Sequence, residues 1–147
     1  SLYSTNGEMI FDYTHTPAFP KSSYTPAEIS GWISNTDFRL KERTESHISA
    51  KDSSVWNYLC KYSSAGTKIT FNGSTSTASL TEAFIRDPEI RLPNGISVGM
   101  SLDEVQASFQ VWDGIAWPAS IVVNYANAAI RYKFQYRTLV EIEVVMI

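Results

Sequence analysis

The sequence predicts an α+β fold of tandem units, each a short capped helix packed on an antiparallel meander of three to four strands. Two observations lead to this prediction. A helix-start signal occurs twice, at Thr25 and at Ser101. Each signal is followed along the chain by three segments in which apolar and polar residues alternate, as in half-buried strands. The two meanders could stand apart or join into one continuous sheet.

The stronger helix signal begins at Ser101. Ser101 and Glu104 have the spacing of a capping box, in which each side chain accepts a hydrogen bond from the backbone amide of the other residue. Met100 and Val105 stand at the positions of a hydrophobic staple. Val105 and Phe109 also fall on one apolar stripe of helical period. We therefore expect a short amphipathic helix here.

The weaker signal begins at Thr25. Thr25 and Glu28 have the same capping-box spacing, and Pro26 suits the first position of a helix. Tyr24 and Ile29 take the two staple positions. Because the whole device occurs twice and strands follow it each time, it indicates a duplicated unit.

The duplication predicts where the chain divides. Residues 1–91 would form the first helix-plus-meander unit, with a polar insertion at about 35–54 that has no counterpart later. Residues 92–147 would form the second unit.

Six strands are predicted from the alternation, at 56–62, 68–71, 78–85, 121–125, 129–136 and 140–147. Each sheet is expected to pack its helix on one side and to leave a charged side open. In the last two strands, Arg131 and Lys133 are placed to pair with Glu141 and Glu143. Each cross-strand pair would contribute ~0.2–1 kcal/mol. Arg137 is expected on the same outward side.

Composition excludes several classes of protein. Of 147 residues, 44% are hydrophobic, as in a folded globular chain. The net charge is −3 and no basic block interleaves with aromatic residues, so we predict no nucleic-acid partner. No run of roughly 18 apolar residues predicts a membrane span. The chain begins at Ser1 without a methionine, which leaves room for a lipid anchor before it.

The sequence predicts no catalytic centre, no metal site and no cofactor. The two histidines, His15 and His47, have no metal-ligand spacing. The single cysteine, Cys60, excludes an internal disulfide. It lies in a strand whose face is aromatic, where a small buried apolar residue is commoner than a nucleophile.

The segment from Gly95 to Val105 reads GISVGMSLDEV and precedes three predicted strands. It resembles the repeat of the β-lactamase-inhibitor-protein-like fold and of the small outer-membrane assembly lipoproteins, whose helix starts with G-x-x-x-G-M-S/T-x-x-E-V. The resemblance covers Leu92–Ile147 well, and Tyr24–Ile85 only through helix cap and strand order. After the helix those proteins commonly have Gly-x-Pro, where this chain has Gln110–Asp113. The resemblance implies an exported protein that binds other proteins without catalysis.

The function expected from the resemblance is a non-catalytic, extracytoplasmic protein-binding or inhibitor-type module that is secreted, periplasmic or surface-anchored. The partner would contact the open sheet face and the loop beside it, through Trp112, Arg131, Lys133, Arg137, Glu141 and Glu143. Trp112 could equally fold under the helix as part of the core. The alternative is a small hydrolase or ligand-binding protein with a pocket near His47 or Cys60. Partner identity and oligomeric state are left open.

Overall fold

The structure is a computed structural model. It describes the backbone of residues 2–5, 7–25, 27–29, 42–47, 55–62, 67–74, 77–109 and 119–147. Side chains are described in these ranges except at 2–5, 42–47, 55–62 and 72–74.

Nine strands in the described residues form a single mixed sheet. In chain order they are β1 (Leu2–Thr5), β2 (Glu8–Asp12), β3 (Glu42–His47), β4 (Val55–Tyr62), β5 (Thr67–Ser74), β6 (Ala78–Ile85), β7 (Ser120–Asn124), β8 (Ala128–Gln135) and β9 (Thr138–Met146). Across the sheet the order is β1-β2-β7-β8-β9-β6-β5-β4-β3. The β2–β7 pair is parallel and the other seven pairs are antiparallel. Within the described ranges, helix is found at residues 27–29 and at Leu102–Ser108.

The predicted fold class, tandem units of a helix on a meander, is wrong. The described chain is mostly one mixed sheet with little helix. The six predicted strands lie close to β4–β6 and β7–β9, which follow local alternation, whereas β3 falls within the predicted insertion at about 35–54. The tandem arrangement is excluded by β2, which belongs to the N-terminal half of the chain but pairs in parallel with β7 of the C-terminal half. A parallel pair has no connecting turn to reveal it in the sequence. The division between residues 91 and 92 stays a prediction.

The core lies on one face of the sheet. Tyr132 in β8 stands between Ile121 of β7 and Ile142 of β9, and all three are fully buried. Outside the strands, the same core includes residues from 19–29, from 90–96 and from the Leu102–Ser108 helix. The sheet therefore has one face inside the core and a second face opposite to it.

Both predicted capping boxes are confirmed. The Ser101 hydroxyl accepts from the Glu104 amide at 3.1 Å, and the Glu104 carboxylate accepts from the Ser101 amide at 3.2 Å. Thr25 and Glu28 make the same two bonds at 3.2 and 3.1 Å. Each cap stabilises its helix start by about 1 kcal/mol. Beyond the second helix, the half-buried Phe109 ring lies 5.6 Å from Tyr132.

Candidate functional site

The candidate site is the face of the sheet opposite the core, which we call the open face. Strand register places its described residues in three rows that run across the sheet, since paired residues share a face. The first row is Glu8, Ser120, Lys133 and Glu141. The second row is Ile10, Val122, Arg131, Glu143, Phe84 and Lys68. The third row is Asp12, Asn124, Ala129, Val145, Glu82 and Thr70.

Charge is sorted by strand at the middle of the open face. There β8 contributes two cations, Arg131 and Lys133, and β9 contributes two carboxylates, Glu141 and Glu143. The Lys133 ammonium lies 2.8 Å from a Glu141 oxygen, and the Arg131 guanidinium lies 3.8 Å from a Glu143 oxygen. The cross-strand pairs predicted from the sequence are therefore confirmed.

Glu141 is the most enclosed charge of the open face, with a side chain only 9% exposed. Its second oxygen lies 3.1 Å from two nitrogens of Arg86, the residue that follows β6. Burial by itself raises the pKa of Glu141. The hydrogen bonds and charges of Lys133 and Arg86 outweigh burial, so the pKa lies below its ordinary value of 4.5. This carboxylate is therefore charged and held in place at neutral pH.

Two ionic partners on the open face were missed by the sequence analysis. The carboxylate nearest to Arg131 is Glu8, at 3.5 Å, and Glu8 also accepts a 2.7 Å hydrogen bond from Ser120. Arg86 is the second new partner. Glu8 depends on the parallel β2–β7 pair and Arg86 on the β6–β9 pair. Neither pairing follows from a local turn, so the sequence offers no signal for them.

The open face is accessible and has a mixed chemical character. The side chains of Arg131 and Lys133 are 42% and 45% exposed. Beside them Val145 is 47% exposed, a large value for an apolar residue within a strand. Phe84 is half-buried under the guanidinium of Arg86, which lies 4.9 Å from the ring centroid. Paired charges thus alternate with small apolar areas.

Arg137 was predicted on this face, and that placement is wrong. β8 ends at Gln135, and Arg137 belongs to the turn before β9, with φ of 62°. Its guanidinium lies 2.6 Å from Asp103, and its carbonyl accepts from the Leu102 amide at 2.9 Å. The alternation was read two residues too far, since a tight turn ends it. Arg137 therefore ties the β8–β9 hairpin to the helix start.

Trp112 lies outside the described residues. Two other candidate residues, His47 and Cys60, are not among the residues of the three rows. For His47 and Cys60 only the backbone is described: Cys60 in β4 is opposite Arg43, and His47 lies four residues further along β3. Four strand residues span about 13 Å. This separation is too large for a directly hydrogen-bonded Cys–His pair.

The described part of the chain contains no group of three or more His, Cys, Asp or Glu residues that could hold a metal ion. In the same ranges, no helix has the length and apolar character needed to cross a membrane.

Comparisons with models of protein families, with curated proteins and with solved structures gave no match. The resemblance to the β-lactamase-inhibitor-protein-like fold and the outer-membrane assembly lipoproteins stays a prediction.

Proposed function

We propose that this chain is a non-catalytic, extracytoplasmic protein-binding module that contacts its partner with the open face. The observation behind the proposal is the ordered arrangement of paired charges in the rows beside Val145, an exposed apolar residue. The extracytoplasmic setting comes from the sequence resemblance alone.

The physical argument starts from how charges act in protein interfaces. Charges of both signs at fixed positions determine register and specificity more than they determine affinity. On the open face the carboxylate of Glu141 is held by two cations, so its position is fixed before a partner arrives. Arg131 is likewise flanked by two carboxylates. Such preorganisation lowers the entropy lost when a partner binds.

Apolar contacts would supply the affinity. Val145 is accessible for contact, and Phe84 and Ile10 are half-buried in the row beside it. Trp112, which the sequence predicts to lie in a loop beside the face, would add to these contacts. On this face the paired charges of β8 and β9 lie in the middle and the apolar residues flank them.

The test is quantitative affinity capture from an extract of the source organism. We expect the Lys133→Glu/Val145→Lys double variant to recover at least tenfold less of the captured partner, because it reverses one charge of the face and places a second charge at the exposed apolar residue. Trp112→Ala is measured separately. The matched control is Tyr136→Lys, an equally drastic change at an exposed residue of the hairpin tip.

Equal recovery of the same partner by the wild type and the double variant would rule out the open face as the binding surface. A catalytic turnover that disappears in Cys60→Ala or His47→Ala would overturn the non-enzyme proposal itself.

A further inference from the structure

We propose that a second copy of this chain occupies the open face, related to the first by a twofold axis that runs along the strands between β8 and β9. The inference rests on the proposed protein-binding role of this face and names its partner. It follows from the strand register and from the sign of each charge.

The charges make the face complementary to itself about this axis. The rotation places β8 of one copy over β9 of the other. Arg131 then faces the second copy's Glu143, and Lys133 faces its Glu141, because each pair already shares a row. Both cations of β8 therefore meet a carboxylate of the second copy.

A twofold axis that ran across the strands would give the opposite result. It would place β8 over β8 and β9 over β9, so the cations of one copy would face the cations of the other. Like charges brought together in an interface oppose association. The sorting of charge by strand thus selects one axis.

The proposed rotation also matches two pairs of apolar residues, while further out it places Ile10 opposite Lys68. In the third row Val145 faces Ala129 of the second copy. In the second row Val122 faces Phe84, because each lies one strand outside the β8–β9 pair. Contacts between these pairs would remove from water the apolar area that Val145 exposes in the monomer.

In the nine-stranded sheet the axis has four strands on one side and five on the other, so the strands next to β8 and β9 also find a strand opposite. In the third row, Asn124 therefore faces Glu82, an amide against a carboxylate, and Asp12 faces Thr70, a hydroxyl. The outer positions of that row add no clash of like charges.

The size of the face sets the expected strength. The three rows extend over six strands, from β2 to β5 across the sheet, and over five residues of each strand. With a strand spacing of about 4.8 Å they cover roughly 450–500 Å² on each copy. The total of about 1,000 Å² is below that of stable interfaces and belongs to the weak, transient class. We therefore expect dissociation in the micromolar range or weaker.

Sedimentation equilibrium of the 147-residue chain, from about 1 µM to 1 mM, measures this association. We expect Val145→Lys and Ala129→Glu each to weaken it at least tenfold, since each places an unpaired charge at an apolar contact. An equimolar mixture of the two variants should regain association, because the introduced lysine of one copy then faces the introduced glutamate of the other. Tyr136→Lys, outside the open face, should associate like the wild type. Circular dichroism and thermal melts check that each variant is folded.

Two results would overturn the inference: a wild-type chain that stays monomeric at about 1 mM, or folded variants whose mixture regains no association. If the chain is monomeric but the open-face variants still lose a captured partner, the proposed function stands and the second copy is the wrong occupant. If the chain associates as described but capture is unchanged in those variants, the dimer stands and the partner binds elsewhere.

Discussion

The tight turn between β8 and β9 offers a direct test of backbone strain. Gln135 pairs with Thr138, so the loop contains only Tyr136 and Arg137. Both have positive φ, 51° and 62°, as a type I′ turn requires. Such turns favour Asn-Gly, since most L-residues are strained in the left-handed region. The Tyr136 side chain is 92% exposed and contributes little packing in return.

We predict that Tyr136→Asn stabilises the protein. A side chain in the left-handed region costs about 1–2 kcal/mol, and asparagine tolerates this region better than most residues. Because an exposed tyrosine loses almost no buried area on replacement, we expect a net gain of about 0.5–1 kcal/mol in the free energy of unfolding. In a chain of this size that raises Tm by roughly 1–4 °C.

Urea denaturation and thermal melts measure the change, and Gln135→Asn is the matched control. Gln135 is also exposed and lies one residue earlier, but within β8, where asparagine is disfavoured. We expect the control to be neutral or slightly destabilising. If both variants behave alike, strain in the turn is not the cause and the reasoning fails.

Two further predictions concern the helix cap and the buried carboxylate. Ser101→Ala should lower the free energy of unfolding by about 1 kcal/mol, because it removes the helix cap. Phe109→Ala should lower it by about 3 kcal/mol, the lower end of the range for a phenylalanine, because the ring is only half-buried. Negligible losses for both variants in urea melts would contradict this account of the helix. Because the pKa of Glu141 is lowered in the folded state, its contribution to stability is present above its ordinary value of 4.5 and is lost as the pH falls below it. Urea melts from about pH 7 to about pH 3 should therefore show a shallower acid loss for Glu141→Gln than for the wild type, and parallel curves would contradict the pairing with Lys133 and Arg86.

The sequence was informative wherever structure depends on near neighbours. The capping boxes at Thr25 and Ser101 use residues three apart, and both are present. The ladder of Arg131 and Lys133 against β9 was predictable because a hairpin joins the two strands. Alternation was less informative at the end of β8, where it continues in the sequence while the chain turns at Tyr136.

The remaining features depend on contacts between distant parts of the chain. Arg131 illustrates the difference: its predicted partner, Glu143, lies across the hairpin at 3.8 Å, yet Glu8, from the N-terminal end, is closer at 3.5 Å. Glu8 reaches this position because β2 pairs in parallel with β7, the same pairing that overturned the tandem architecture. One long-range pairing therefore accounts for the wrong fold class and for the missed partner of Arg131. It also joins β2 and β1 to the sheet on the β8 side of the proposed twofold axis, so without it β5 of the second copy would face no strand.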